Sequence, residues 1–313
     1  MKHQNLRRQL HRRRALGVTM TLLSSVLPAA AGAQLFYSLD STYDGPVAID
    51  AAAGTATYLG PAGYTVQAAG GILLSMEHVA GQVYWTNATP TDNPLVLAHM
   101  SAPAVAFGGV VEYMEGGSTV QGKVGDMTWN GSSLLVSIGF GTHVLGPRPH
   151  NLAELSLTGE LTNAVDFLPL GVYLDLLAVS PGGEIYALER SLEADQHGIL
   201  YRLEIPASVT TVGTIAHLPG TIAVEFSGMT FDEDGNLWVM EEVGVSGNQK
   251  TYTLRRIDPS NAAVLESLDF VYTAISGSAG NLRDLAWRPE PPTQSISSSW
   301  GRVKGAYRAP HDR

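Results

Sequence analysis

The chain has 313 residues, with 19 Lys+Arg against 29 Asp+Glu and no cysteine. That acidic balance disfavours nucleic acid and anionic membrane surfaces as partners, and the lack of Cys excludes disulfides and a lipid-modified N-terminal cysteine. Charged residues make up only 15%, Gly is abundant at 34 residues, and helix-period segments are nearly absent, which points to an all-β protein.

The N-terminus reads as a secretory signal over residues 1–33. Lys2, Arg7, Arg8, Arg12, Arg13 and Arg14 form a basic region, residues 15–27 are apolar, and Ala31-Gly32-Ala33 is a small-residue cleavage site. The apolar run is short of the ~20 residues that span a bilayer and is broken by Ser24, Ser25 and Pro28, so a stable membrane anchor is not expected. Arg12-Arg13-Arg14 invites a twin-arginine reading, but Ala15-Leu16-Gly17 match that signal poorly, and general export to the periplasm or the outside is expected. Removing the signal leaves 13 basic residues against 29 acidic ones, a formal charge of −16. The mature chain must be held by core burial alone, which for ~300 residues removes roughly 75% of the unfolded surface from water.

The remaining chain repeats. "DMTWNGSSLLVSIG" (126–139), "LLAVSPGGEIYALER" (176–190) and "GMTFDEDGNLWVMEE" (228–242) share one layout: strand, tight turn, strand. "LLSMEHVAGQVYWTN" (73–87) is a degraded copy, and "LRDLAW" (282–287) begins one and stops. The anchors Met76, Trp129, Val179, Phe231 and Trp287 are spaced by 53, 50, 52 and 56 residues. After each full hairpin come third and fourth strands, as in "YTLRRIDP" (252–259) and "VLESLDFVY" (264–272). Four strands every ~50 residues are the pattern of a β-propeller blade.

The termini complete one another. "LFYSLD" (35–40), "PVAID" (46–50) and "ATYLG" (56–60) read as second, third and fourth strands, and "NLRDLAWRP" (281–289) supplies the missing first. The expectation is a propeller over 34–289 with five four-stranded blades, one shared between the two ends. The insertion at 113–125 leaves room for a sixth blade, although a loop on the ring's face is the reading it favours. Residues 290–299 read as a Pro/Ser-rich linker and 300–313 as a short basic tail, either frayed or a docking helix with Trp300, Val303 and Tyr307 on one face.

The third-strand motif in "YRLEIPAS" (201–208), "LRRIDPSN" (254–261) and "AIDAAAG" (48–54), with the hairpins "GEIYAL" and "GNLWVM", resembles secreted bacterial propellers of the NHL, gluconolactonase-like and phytase-like kinds. The resemblance implies the fold over nearly the whole mature chain, and no single activity. The stretch "SWGRVKGAYR" (299–308) also resembles a short C-terminal tail found on various secreted bacterial proteins.

The candidate chemistry lies just before each first strand. Asp126 and Asp284 share a register, Asp175 stands one residue earlier, and Glu225 precedes Phe226. Innermost strands line a propeller's centre, so these four carboxylates would converge. Converging carboxylates hold a divalent cation, here calcium on Asp126 and Asp284, or take up a proton with a raised pKa and serve glycoside or lactone hydrolysis or a lyase reaction. The alternative is structural, each acid accepting backbone amides of a neighbouring blade. Asp232–Asn236 lacks the spacing and the distal Glu of a calcium loop and reads as a turn. Glu189 and Glu241-Glu242 form a second acidic register, expected to be solvated or paired between blades. The histidines between the expected signal and the tail, His78, His99, His143, His150, His197 and His217, show no zinc spacing. Trp129, Trp238 and Trp287 read as core, and Trp85 as core or as a sugar platform. No nucleophile motif or phosphate loop is present. The expectation is a monomeric, non-catalytic binding or scaffold module for an unknown protein or saccharide, with a carboxylate hydrolase or lyase, calcium-dependent or not, as the alternative.

Overall fold

Alternating apolar and polar residues bounded by Gly and Asx turns make strands throughout. A computed structural model describes residues 35–42, 45–59, 72–79, 82–88, 95–101, 104–111, 113–115, 118–120, 122–140, 149–190, 197–218, 226–274 and 280–287. The expected signal, linker and tail, and Glu225 and His143, lie outside the described residues.

Strands β1 (Leu35–Asp40), β2 (Gly45–Asp50) and β3 (Thr55–Tyr58) open the chain. Strands β4 (Ile72–Val79), β5 (Gln82–Ala88), β6 (Leu95–Ser101) and β7 (Ala104–Val111) form a four-stranded antiparallel sheet in sequence order. The insertion expected to be a loop instead holds a small hairpin, β8 (Tyr113–Glu115) with β9 (Ser118–Val120), and the next first strand starts at Gly122. The second sheet is β10 (Gly122–Trp129), β11 (Leu134–Phe140), β12 (Asn151–Leu155) and β13 (Leu161–Asp166). The third is β14 (Leu176–Val179), β15 (Ile185–Glu189), β16 (Gly198–Glu204) and β17 (Ser208–Ile215). Strands β18 (Phe226–Phe231), β19 (Leu237–Ser246), β20 (Gln249–Ile257) and β21 (Val264–Tyr272) follow, and β22 (Leu282–Trp287) is the last. Among the described residues the one helical element is a 3-10 turn at Leu168–Leu170, and no helix is long and apolar enough to cross a membrane.

The chain ends meet as their patterns require. β22 pairs antiparallel with β1, Phe36 opposite Trp287 and Tyr37 opposite Ala286, giving the order β3-β2-β1-β22. A lone parallel pair at the outer edge, Val271 with Thr55, joins β21 to β3. The first strands lie against one another in the cyclic order β4, β10, β14, β18, β22 and back to β4. First strands at the centre with sheets of four running outward from them are the arrangement of a β-propeller.

The core sits between successive sheets. Leu188, Leu200 and Phe226 join Met229, Leu237 and Val239 in one apolar cluster between the third sheet and the β18–β21 group. Phe36 of β1 meets the edges of Trp238 and Trp287 at 5.5 and 5.1 Å between centroids, a geometry favoured by the ring quadrupoles. Trp85 is central to β5 and fully buried, so the sugar-platform reading fails for want of an exposed ring face.

Asp232–Asn236 is a turn held by its own first residue. Asp232 Oδ1 accepts the amides of Asp234 and Asn236, Oδ2 accepts the Trp238 indole N–H at 2.9 Å, and Gly235 takes φ +80°. Its carboxylate is used up in fastening the hairpin to the core.

Candidate functional site

Three of the first strands carry a bulge near their beginning, between Leu73 and Ser75, Val124 and Asp126, and Phe226 and Gly228. The β1–β22 ladder slips at the matching place, beside Asp284, which takes φ +63°. A bulge re-aims the side chain that follows it, and here it turns Asp126 and Asp284 out of the regular alternation. Both are almost fully buried, and their carboxyls lie close enough for each to act on the other's ionisation.

Three of the four expected acids, Asp126, Asp175 and Asp284, line one cavity of about 160 Å³ where the first strands begin. The fourth, Glu225, is outside the described residues. Sequence reasoning did not foresee the rest of the lining: Arg190 after β15, Ser227 on β18, Glu242 on β19 and Arg283 on β22. Glu242 holds Lys250 Nζ at 2.8 Å.

The acids are also fastened to backbone. Asp126 Oδ2 accepts the Leu177 amide at 2.6 Å, and Asp284 Oδ2 accepts the Met76 amide at 2.5 Å, each from the next sheet's first strand. Asp175 Oδ2 takes the Arg190 amide of its own sheet at 2.8 Å. A third inter-sheet acid escaped the sequence reading: Glu77 of β4 accepts the Trp129 amide of β10 at 3.0 Å. Its only signal was a carboxylate inside an apolar strand. The two remaining junctions use other chemistry. Arg190 Nη1 donates to the Phe226 carbonyl at 3.3 Å, and Thr230 Oγ1 accepts the Trp287 amide at 3.3 Å. Every junction of the cyclic order therefore carries a side-chain-to-backbone bond.

Burial dominates the electrostatics. It pushes the Glu77 carboxyl up to about 7 and the Asp126 carboxyl up to about 7 against the amides and charge that favour ionisation. Asp284 is raised well above the usual carboxylate range by burial and then by the Asp126 charge beside it. Two carboxyls this close hold one proton between them rather than ionise together. Asp126 Oδ1 is buried and receives no amide, hydroxyl or cationic donor, which leaves the Asp284 carboxyl as the group beside it. Among the described residues no group of three or more His, Asp or Glu is placed to hold a metal ion, so calcium on Asp126 and Asp284 has no further acidic ligand there.

The second register divides. Glu189 accepts from Tyr201 Oη at 3.2 Å. Glu241 is fully buried, bonded to Arg255 Nη1 at 2.8 Å, His217 Nδ1 at 3.0 Å and the Leu218 amide at 3.1 Å. Glu241 is thus a buried clasp between the third sheet and its successor.

No family model matches the chain, and no curated protein matches it. Solved structures do. A GH43 glycoside hydrolase with endo-xylanase and exo-arabinofuranosidase activity aligns at TM-score 0.48 and 13% identity over 85% of this chain and 55% of that one. A Bacteroides uniformis protein assigned as a 6-phosphogluconolactonase aligns at TM-score 0.39 and 11% identity, over 75% and 82% of the two chains. A Bacteroides caccae protein of unknown function aligns at TM-score 0.38 and 9% identity, over 75% and 73%. At such values the chemistry of the site has to be argued from its own geometry.

Proposed function

We propose that this chain is an exported β-propeller of five four-stranded blades, a binding or scaffold module whose ring-mouth acids serve first as structural acceptors. Supporting the count are the five first strands in cyclic order and the β22–β1 pairing. One observation carries the non-catalytic reading: Asp126 and Asp284, the residues best placed for acid–base work, each accept the amide of the neighbouring blade's first strand. A general acid must be free to reach a substrate proton, and these carboxyls are tied by their backbone partners and by each other.

A second reading draws on a different observation. A buried carboxyl pair holding one proton beside a cavity and an arginine is also how a hydrolase keeps an acid at neutral pH. That reading implies turnover of glycosides or lactones, with or without calcium. The test is to incubate the exported form, residues 34–313, with aryl glycosides and aldonolactones, with calcium and with EDTA. The binding reading expects no turnover above buffer, and calcium-dependent or Asp126-dependent turnover would remove it.

A further inference from the structure

A groove opens on the outer side of the ring between the second and third sheets. Their outer strands, β13 and β17, belong to separate ladders, whereas the outer strands β21 and β3 are joined by the Val271–Thr55 pair. The groove holds about 490 Å³, and Leu170, Val172, Tyr201, Ser208, Val209 and Thr211 line it, with no charged side chain in its walls. Val172 and Tyr201 belong to the apolar cluster between these sheets and Val209 packs against it, so the groove is where that core reaches the surface. Leu170 in its wall is 48% exposed, and Leu168 and Ile205, each two residues from a lining residue, are 44% and 57% exposed. These are three of the eight large apolar side chains exposed among the described residues, and such a concentration marks a contact surface.

The margin of the groove is acidic. Asp166 stands two residues before Leu168, and Glu204 one before Ile205, both with half or more of their side chains in solvent. Arg202 does not neutralise them, because it is shared between Glu184 at 3.3 Å and Glu204 at 4.0 Å.

The chain itself carries a segment of complementary character. Trp300, Val303 and Tyr307, outside the described residues, have the spacing of one helical face, and Arg302, Lys304 and Arg308 stand among them. An amphipathic helix lays anchors at that spacing into an apolar groove. The thirteen residues from Trp287 to Trp300 reach about 40 Å at ~3.3 Å each, more than twice the ~18 Å radius of gyration of a domain this size. A flexible covalent link also holds its end at an effective concentration on the order of millimolar. A second copy of the ring would instead bring the same acidic margin against the groove and be repelled.

We propose that the C-terminal segment 300–308 docks in this groove of its own ring, with Trp300, Val303 and Tyr307 against Leu170 and Val209 and its basic side chains toward Asp166 and Glu204. The inference is independent of the ring-mouth reading.

The chain has no cysteine, so an engineered pair reports the contact cleanly. Residues 34–313 carrying Thr211→Cys and Val303→Cys are oxidised at micromolar concentration. The control pair is Ser246→Cys with Val303→Cys, Ser246 being exposed near the tip of the β19–β20 hairpin. Non-reducing electrophoresis and intact mass distinguish a link within one chain, seen as the loss of two hydrogens, from a link between chains. The 211–303 pair is expected to close within one chain about tenfold faster than the control, because docking raises the local concentration of the thiols. Adding Trp300→Ala and Tyr307→Ala is expected to bring the rate down to that of the control. A 211–303 rate no greater than the control, a rate unchanged by the two alanines, or linking mainly between chains overturns the inference; the last outcome assigns the groove to a second copy.

Discussion

Asp284 and Asp126 set their carboxyls beside one another although they stand on β22 and β10, strands separated in the ring by β4. Each also holds the first strand that follows it, Asp284 through the Met76 amide and Asp126 through the Leu177 amide. One carboxyl pair thus links two inter-sheet junctions, β22 with β4 and β10 with β14.

That arrangement makes Asp284 a closure residue. Asn at 284 tolerates the left-handed φ of +63° and keeps an acceptor for the Met76 amide. Ala keeps neither advantage and strands a buried amide at a cost of about 1–3 kcal/mol. A chain of this size loses roughly 2–4 °C per kcal/mol. Asp284→Ala is expected to melt several degrees below Asp284→Asn by calorimetry, and equal melting temperatures would detach this residue from closure.

The pH dependence follows from carboxyls whose folded pKa lies above the unfolded one. Glu77 and Asp126 move from 4.5 and 3.8 to about 7, so the fold binds protons that the unfolded chain has already released. Their contribution is fully present below about pH 4 and is lost as pH rises through 7. The melting temperature should therefore fall between pH 5 and pH 8. Glu77→Gln, which keeps an acceptor for the Trp129 amide, should flatten that slope in a pH series of melts.

Gly228 stands where the matching position of β10 carries Asp126. A Cβ there would lie 2.4 Å from the Asp284 backbone carbon and 2.5 Å from the Leu285 nitrogen. Backbone cannot swing aside as a side chain can, so β18 and β22 would have to separate. Gly228→Ala is expected to cost at least the 1–3 kcal/mol typical of overpacking, read as a lower denaturant midpoint. Gly244→Ala, with open space around its Cβ position, is the control that should change little.

Among the described residues, Glu241 is the fully buried acid paired with an arginine, Arg255. Removing its charge leaves Arg255 buried without compensation, and breaking a buried pair from one side costs about 3–5 kcal/mol. Glu241→Ala should destabilise the fold more than Glu189→Ala, a position that is only partly buried. Chemical denaturation of the two variants ranks them.

Much of the architecture was written locally. A period-2 alternation and an Asp-Gly turn act within a dozen residues, so the hairpins at Trp129, Val179 and Phe231 could be read without any fold in view. Chain-end completion was legible for the same reason: a lone first strand at 282–287 and three strands starting at Leu35 leave unpaired edges that must be covered. The regular anchor spacing located Asp126, Asp175 and Asp284 at one mouth. It could not show that β14 begins after Asp175 and lacks the bulge of its neighbours, which leaves that carboxylate on its own blade's Arg190 amide. Nor could it show Glu77, Arg190, Thr230 and Glu241 reaching across junctions, because those contacts exist only once the sheets are rotated against one another. Local pattern and turn chemistry set the strands and the order in which they repeat. Ring closure decided which carboxyls meet and which amides they take.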